Sequence, residues 1–346
     1  MPRVSVVCPT YNRGPAIVPT LESVQAQSVD DWEMIVISDG SDDDTDDVVR
    51  TAARHDPRIR FLRANRHGHP SGPRNLALEH ARGEIVAYVD HDDTWFPEHL
   101  AVLLTTFDKG AEAVATGNVT VDRDGARTAA STSLDMCWHP EFQLFAPLFE
   151  PSRVAHRRGL VERVGGWRPG VGLEDWDLWL RLTDAGTRFT TVTDRTAALL
   201  DDTGTRRHRT SRPHRLPLVV LDDPRAARRL LDLVREPSRD EALRDACARD
   251  LQRWFGRASS TPEFVRPVGW HGDFEPEIRR TVLGLDPLWP DLVVAPHQSG
   301  YALAQRLWCA TREHAARIGE LIQQTYQDQL ALLAAWGRSA GGPALD

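Results

Sequence analysis

Four short runs rich in β-branched and apolar residues, Arg3 to Val7, Glu33 to Ile37, Arg58 to Leu62 and Glu84 to Val89, alternate with stretches of helical periodicity. Gly14-Pro15 opens a helix through about Gln27, with Ile17, Leu21 and Val24 on one face. A second helix follows the acidic run Asp42 to Asp47 and ends near Arg54. A third starts at Ser71-Gly72-Pro73-Arg74-Asn75 and carries Leu76 and Leu78. A chain that alternates in this way folds into a mostly parallel sheet covered by helices on both faces. Open sheets of this kind collect their ligands beyond the carboxyl ends of the strands.

The residues just past each run are therefore informative. The first run leads into Pro9-Thr10-Tyr11-Asn12-Arg13, the second into Ser38-Asp39-Gly40-Ser41, the fourth into Asp90-His91-Asp92-Asp93. Hard carboxylate oxygens clustered at a strand end suit Mg2+ or Mn2+, and such an ion usually also holds substrate phosphates. The same pattern also fits a solvated turn, so it needs support from the flanking chain. Most of the Asp42 to Asp47 run reads as a solvated helix cap. Arg74, near a helix start, opposes the helix dipole, which fits either pairing with Asp39 or an anion, or an ordinary surface arginine. His67 and His69 read as neutral loop residues. No glycine-rich dinucleotide fingerprint follows the first strand, and no P-loop motif occurs anywhere.

Further along, Pro97 to Phe107 reads as a helix and Ala113 to Val121 as a strand. Ser131 to Phe149 reads as loop with short elements, and Arg157 to Val164 as a short helix ending at Gly165-Gly166. In Leu173-Glu174-Asp175-Trp176-Asp177-Leu178-Trp179-Leu180, the residues Trp176, Trp179, Leu180 and Thr183 make a packed stripe. Glu174 and Asp175 fall in that helix's first turn, where they either cap it or present a carboxylate to a cleft. Thr187 to Val192 and Thr196 to Leu200 are expected as separate strands. The basic segment Arg206-Arg207-His208-Arg209 could meet phosphates, with His208 near a metal.

The 346 residues suffice for one large α/β domain with an appendage, or for two domains. A net charge of −8 argues against general nucleic-acid binding. Cys8, Cys137, Cys247 and Cys309 are scattered and read as free buried thiols. There is no signal-peptide pattern and no apolar run long enough to cross a bilayer, so a cytoplasmic protein is expected.

The last third carries helical patterns. Pro213 to Pro217 reads as a linker, and Asp223-Pro224 starts a helix to about Val234. Ser238-Arg239-Asp240-Glu241 reads as a capping box. His271 with Asp273 reads as ordinary loop. Ser299-Gly300 opens a long amphipathic pattern through Trp336, expected as two helices broken near Gly319 or as an oligomer contact. The division expected is residues 1–212 for a catalytic domain. Residues 213–346 would be a mainly α-helical region that closes over the first domain or forms a homodimer.

Taken together, the motifs resemble those of the inverting family 2 glycosyltransferases of the GT-A fold. The resemblance rests on Val4 to Arg13, Ser38 to Thr45, Pro73-Arg74-Asn75, Asp90-His91-Asp92-Asp93, Gly165-Gly166-Trp167, Glu174-Asp175-Trp176 and Arg207-His208-Arg209-Thr210-Ser211, in the family's order. Proline stands at residue 73, where alanine is usual. The resemblance implies a GT-A sheet and a nucleoside-diphosphate sugar donor, most readily a UDP-sugar. It implies that Pro9, Thr10, Tyr11 and Arg13 line the base, that Asp39 bonds the uracil with Arg74 near it, and that Asp90 holds the ribose. Asp92 would bind Mn2+ or Mg2+ on the diphosphate, with Asp93 near the donor sugar and His208 a further contact. Asp175 would be the general base and Glu174 would position the acceptor. The acceptor stays open among a natural product, a saccharide, a lipid-linked sugar and a peptide. A sugar nucleotidyltransferase or an inactive nucleotide-sugar-binding scaffold are the competing readings.

Overall fold

The computed structural model describes residues 1–170, 172–201, 213–270, 272–284 and 291–340. They fall into two compact units. Met1–Thr210 and Val265–Trp270 make the first; Ser211–Phe264 and His271–Asp346 make the second.

The first unit is built on strands β1 (Val4–Thr10), β2 (Trp32–Ser38), β3 (Ile59–Arg63) and β4 (Ile85–Tyr88), all parallel to one another. The sheet continues through β5 (Thr94–Trp95), β6 (Ala113–Val121), β7 (Arg127–Ala130), β8 (Val154–Arg157) and β9 (Phe189–Leu200). Its order is β3-β2-β1-β4-β8-β6-β9-β5, with β7 on β6. Strand β8 runs antiparallel to both β4 and β6.

Every residue of β1 and β2 is buried, as expected where helices cover both faces. Alternation sends Val4, Val6 and Cys8 into one core and Val7 into the other. The first core is closed by helices α1 (Val18–Gln25), α2 (Thr45–His55) and α4 (His99–Phe107), through Leu21, Val24, Val49, Leu100 and Leu103. The second is closed by α3 (Ser71–His80), α6 (Leu160–Arg163) and α7 (Glu174–Asp184), through Ala77, Leu160, Leu178 and Trp179. Helix α5 (Pro140–Phe145) packs beside α7.

Several local expectations change. Gly14–Ile17 is a 3-10 turn that precedes α1. The segment expected as a helix from Arg157 begins as β8, because Val154-Ala155-His156 pair between β4 and β6 before the turn at Gly159. The two short strands expected between Thr187 and Leu200 are one, β9, which runs beside β6 through register shifts near Gly117. Helix α4 begins at His99 rather than Pro97, since Thr94–Trp95 pairs with β9. Asp46, in the supposedly solvated acidic run, is buried and paired with Arg63.

The second unit contains a three-stranded antiparallel sheet, β10 (His214–Leu221), β12 (Gly300–Leu307) and β11 (Leu292–His297), in the order β10-β12-β11. Its helices are α8 (Pro224–Val234), α9 (Pro237–Ala258), α10 (Phe274–Gly284), α11 (Arg312–Thr325) and α12 (Gln327–Ser339). Residues 214–217 are thus not a linker. Pro217 is accommodated on an edge strand where the register shifts. The long helical pattern from Ser299 is also corrected. Leu303 and Leu307 are four apart, a spacing that fits both a helix face and one side of a strand, and pairing on both edges makes this stretch a strand. The break between the two last helices lies at Tyr326, while Gly319 sits inside α11. Helix α9 starts at Pro237 with Glu236 at its N-cap, so Ser238 lies inside the first turn and no capping box forms.

Candidate active site

The carboxyl end of β2 places Asp39 and that of β4 places Asp90 and Asp92, and each of the three already holds an arginine. Asp39, just past β2, is buried; its carboxylate accepts from the backbone N–H of His67 at 2.7 Å and of Gly68 at 2.9 Å, and from Arg66. A carboxylate offers about four acceptor positions, so one remains for a ligand N–H. The Arg66 guanidinium also lies over the Tyr11 ring, 3.4 Å from its centroid. Arg66 is a site residue that sequence reasoning missed. It stood beside two histidines in a polar loop, and only the return of that loop to the β2 tip exposes its role.

Asp90 accepts from Arg74 Nη2 at 2.6 Å. The Arg74 side chain is almost fully buried and lies over the Trp167 ring. Although burial opposes its charge, Asp90, Glu174 and Asp175 together hold the Arg74 guanidinium above its ordinary pKa. The oddly placed helix-start arginine is thus explained by Asp90 and the α7 carboxylates, not by Asp39.

Asp92 accepts from Arg13 Nη2 at 2.6 Å, and both side chains stay partly open to solvent. Asp93 is turned inward. Its Oδ1 accepts from the Leu200 N–H at 2.9 Å, and its Oδ2 is bonded by the Ser152 hydroxyl. Burial, with Asp92 and Asp90 nearby, raises the Asp93 pKa well above the carboxylate range. Ser152 also accepts from the Asp90 N–H at 2.9 Å, and its carbonyl accepts from Trp95 Nε1 at 2.6 Å. Ser152 therefore shapes the whole Asp cluster from 59 residues away, a role with no local sequence signal. Burial lowers the His91 pKa, and its Nδ1 lies 3.4 Å from the Tyr11 N–H and 3.2 Å from Thr10 Oγ1.

Pro9 and Thr10 are buried at the end of β1, and Tyr11 and Arg13 are half-buried beyond it. Asn12 holds a left-handed backbone, φ +47°, a conformation asparagine tolerates better than most residues. Its amide ties this loop to Asp42.

On the other flank, Glu174 and Asp175 are buried in the first turn of α7. Asp175 Oδ1 accepts from the Trp176 N–H at 2.9 Å. The helix is anchored behind them by Trp176 Nε1 on the Gln143 carbonyl at 2.7 Å and by Trp179 Nε1 on the Phe149 carbonyl at 2.9 Å. Arg181 pairs with Asp177 and donates to the carbonyls of Val164 and Gly166, which fixes the Gly165-Gly166 turn to the same helix.

Beside this rim lies an open cleft of about 670 Å3, lined by Arg63, His67, His69, Asn75, Glu79, Trp167 and neighbours. None of Asp90, Asp92, Glu174 or Asp175 lines it. His67 and His69 face each other edge-on across 6.0 Å.

Among the described residues, no three His, Cys, Asp or Glu side chains converge as a metal cluster. The donor set still fits Mg2+ or Mn2+ of the kind that takes one or two protein carboxylates and completes its shell with phosphate and water. Asp92, partly open to solvent as Asp90 also is, would serve in that role. His208, with Arg206, Arg207 and Arg209, lies outside the described residues, as does His271. The four cysteines are buried and form no disulfide.

Residues 5–161 match the sequence model of glycosyl transferase family 2. That stretch is a glycosyl transferase family 2 segment. Among curated relatives, the GalNAc(5)-diNAcBac-PP-undecaprenol beta-1,3-glucosyltransferase of Campylobacter jejuni is 36% identical over 126 residues, covering 36% of the chain and 40% of that protein. The chain thus spans less than half of that relative's length. Among solved structures, S. aureus TarS 1-349 in complex with UDP-GlcNAc is similar at a TM-score of 0.53 and 19% identity, over 75% of the chain and 74% of TarS 1-349. The mannosyltransferase PcManGT from Pyrobaculum calidifontis, in complex with GDP-Man and Mn2+, is similar at a TM-score of 0.51 and 20% identity, over 99% of the chain and 76% of that protein. At these identities the likeness is one of fold, and it is the GT-A fold. No helix among the described residues is long and apolar enough to cross a membrane.

Proposed function

We propose that the chain is an inverting glycosyltransferase that moves a sugar from a nucleoside-diphosphate sugar, most readily a UDP-sugar, to an acceptor hydroxyl. The observation that carries this is Arg74. It bonds Asp90 on the donor side and feels Glu174 and Asp175 on the other flank, so all three carboxylates share one rim. Complexes of TarS with UDP-GlcNAc and of PcManGT with GDP-Man and Mn2+ support the donor class.

In this reading the base stacks at Tyr11, and Asp39 accepts its ring N–H at the remaining acceptor position. Asp90, oriented by Arg74 and Ser152, takes the ribose hydroxyls. Asp92 would hold Mg2+ or Mn2+, which when bound offsets the charge growing on the diphosphate. Asp175 takes the proton of the attacking acceptor hydroxyl, and Glu174 orients the acceptor. The rigid seating of α7, through Trp176 and Trp179, keeps that base in place. Attack in line from the face opposite the diphosphate needs only this one base and inverts the anomeric centre.

Titration with UDP and Mn2+, followed by UDP release from UDP-sugars with a panel of acceptors, tests the reading. Asp39→Ala should weaken UDP binding. Asp175→Asn should keep UDP binding near wild type and lower transfer by roughly 10²–10⁴-fold. A wild-type protein that binds no nucleotide, or an Asp175→Asn variant with normal turnover, refutes it.

A further inference from the structure

Asp39, Asp90 and Asp92 are each matched by an arginine, but the three arginines differ in freedom. Arg74 is only 3% exposed and boxed in by Trp167, whereas the Arg13 side chain is 26% exposed. The Arg13 main chain is nonetheless firmly held. Its N–H and that of Gly14 both donate to Thr45 Oγ1 at 2.7 Å, and the Asn12 N–H donates to Ser41 Oγ at 3.1 Å. Any movement of the guanidinium is thus a change of side-chain rotamer on a fixed base. Its Nε is buried and has no hydrogen-bond partner among the described residues, so the group carries a donor that Asp92 does not use.

We propose that Arg13 is a displaceable counter-ion. It occupies Asp92 while the donor site is empty and turns to the diphosphate when nucleotide and metal enter together. This rests on the reading of Asp92 as the metal carboxylate. A divalent cation arriving alone has to compete with a guanidinium at 2.6 Å for the carboxylate it needs. A nucleoside diphosphate removes that competitor, because a guanidinium forms paired charge-assisted bonds with phosphate oxygens as readily as with a carboxylate. Metal and nucleotide therefore strengthen each other's binding, with Arg13 as the coupling element, and the coupling is reciprocal.

The test measures free Mn2+ by its electron paramagnetic resonance signal, with and without UDP, in the full-length protein and in Arg13→Gln, Arg13→Lys and Asp92→Asn variants. Without UDP, Arg13→Gln should bind Mn2+ about 1.5- to fivefold more tightly than wild type, the range expected for losing a partly exposed ion pair. UDP should then enhance Mn2+ binding less in Arg13→Gln than in wild type. Arg13→Lys, which keeps the charge but not the fork, should fall between. Equal Mn2+ affinity and equal UDP enhancement in wild type and Arg13→Gln overturn the proposal while leaving the donor site intact. Unchanged Mn2+ binding in Asp92→Asn instead overturns the metal assignment on which it rests.

Discussion

Asn75 and Trp167 hold each other through two hydrogen bonds of 2.8 Å, Asn75 Nδ2 to the Trp167 carbonyl and the Trp167 N–H to Asn75 Oδ1. The residues are 92 apart in the chain. Asn75 follows Arg74 on α3, and Trp167 follows the Gly165-Gly166 turn that Arg181 fixes to α7. This pair therefore sets the distance between the donor-side arginine and the helix carrying Glu174 and Asp175. Asn75→Ala would strand both Trp167 backbone groups and should cost about 1–3 kcal/mol. A thermal melt should show a lowered midpoint, and transfer should fall more than UDP binding, because α7 loses its register with the donor side.

Gly166 is required at its position for two reasons. Its φ of +74° suits glycine, and a Cβ there would come within 2.9 Å of Asn75 Oδ1. Gly166→Ala should therefore destabilise the protein to a degree similar to Asn75→Ala. The two changes should be clearly sub-additive in a double-mutant cycle followed by denaturant unfolding, because both break the same contact.

At the opposite end of the strands, the buried Glu33 accepts from Ser5 Oγ at 2.8 Å, Arg60 at 2.7 Å and the Arg82 N–H at 2.8 Å. Burial alone would raise its pKa, but these donors together hold it below the ordinary 4.5. A depressed carboxylate pKa means the contribution is complete above the unfolded value and is lost as pH falls through the folded one. Glu33→Gln should thus be less stable than wild type at pH 7, by about 1–3 kcal/mol. The gap should close below the folded-state pKa. Urea unfolding at a series of pH values reads this directly.

In the second unit, Asp250 is fully buried on α9 and supplies the cap of α12. It accepts from the N–H groups of Asp328 at 3.0 Å and Gln329 at 3.1 Å, and from the Gln329 side chain at 2.9 Å. The helix's own N-cap residue, Tyr326, makes no such bond. Asp250→Ala should cost more than the roughly 1 kcal/mol of an ordinary cap, since it strands two backbone N–H groups and the Gln329 side-chain amide at once. Hydrogen exchange should accelerate first at the amides of Asp328 and Gln329.

Much of the donor side was legible locally. Val4 to Thr10 and Trp32 to Ser38 are short β-branched runs that only a doubly covered strand can bury, and each ends in the polar residue that the rim uses. Ile17, Leu21 and Val24 fall on one helical face and are all buried. The C-terminal strand Gly300–Leu307 was not legible, because its leucine spacing satisfies two periodicities and only its neighbours β10 and β11 choose between them.

The chain's local pattern determined the parallel β–α frame, the strand tips and the carboxylates placed there, because periodicity and turn chemistry act over a few residues. Tertiary structure alone decided which charge answers which. Arg13 meets Asp92 across 79 positions, Arg66 meets Asp39 across 27, and Asp46 leaves its acidic run to be buried against Arg63. Pairings of this kind depend on strand order and loop return, which are set by burying both faces of one sheet and leave no trace in any short stretch of sequence.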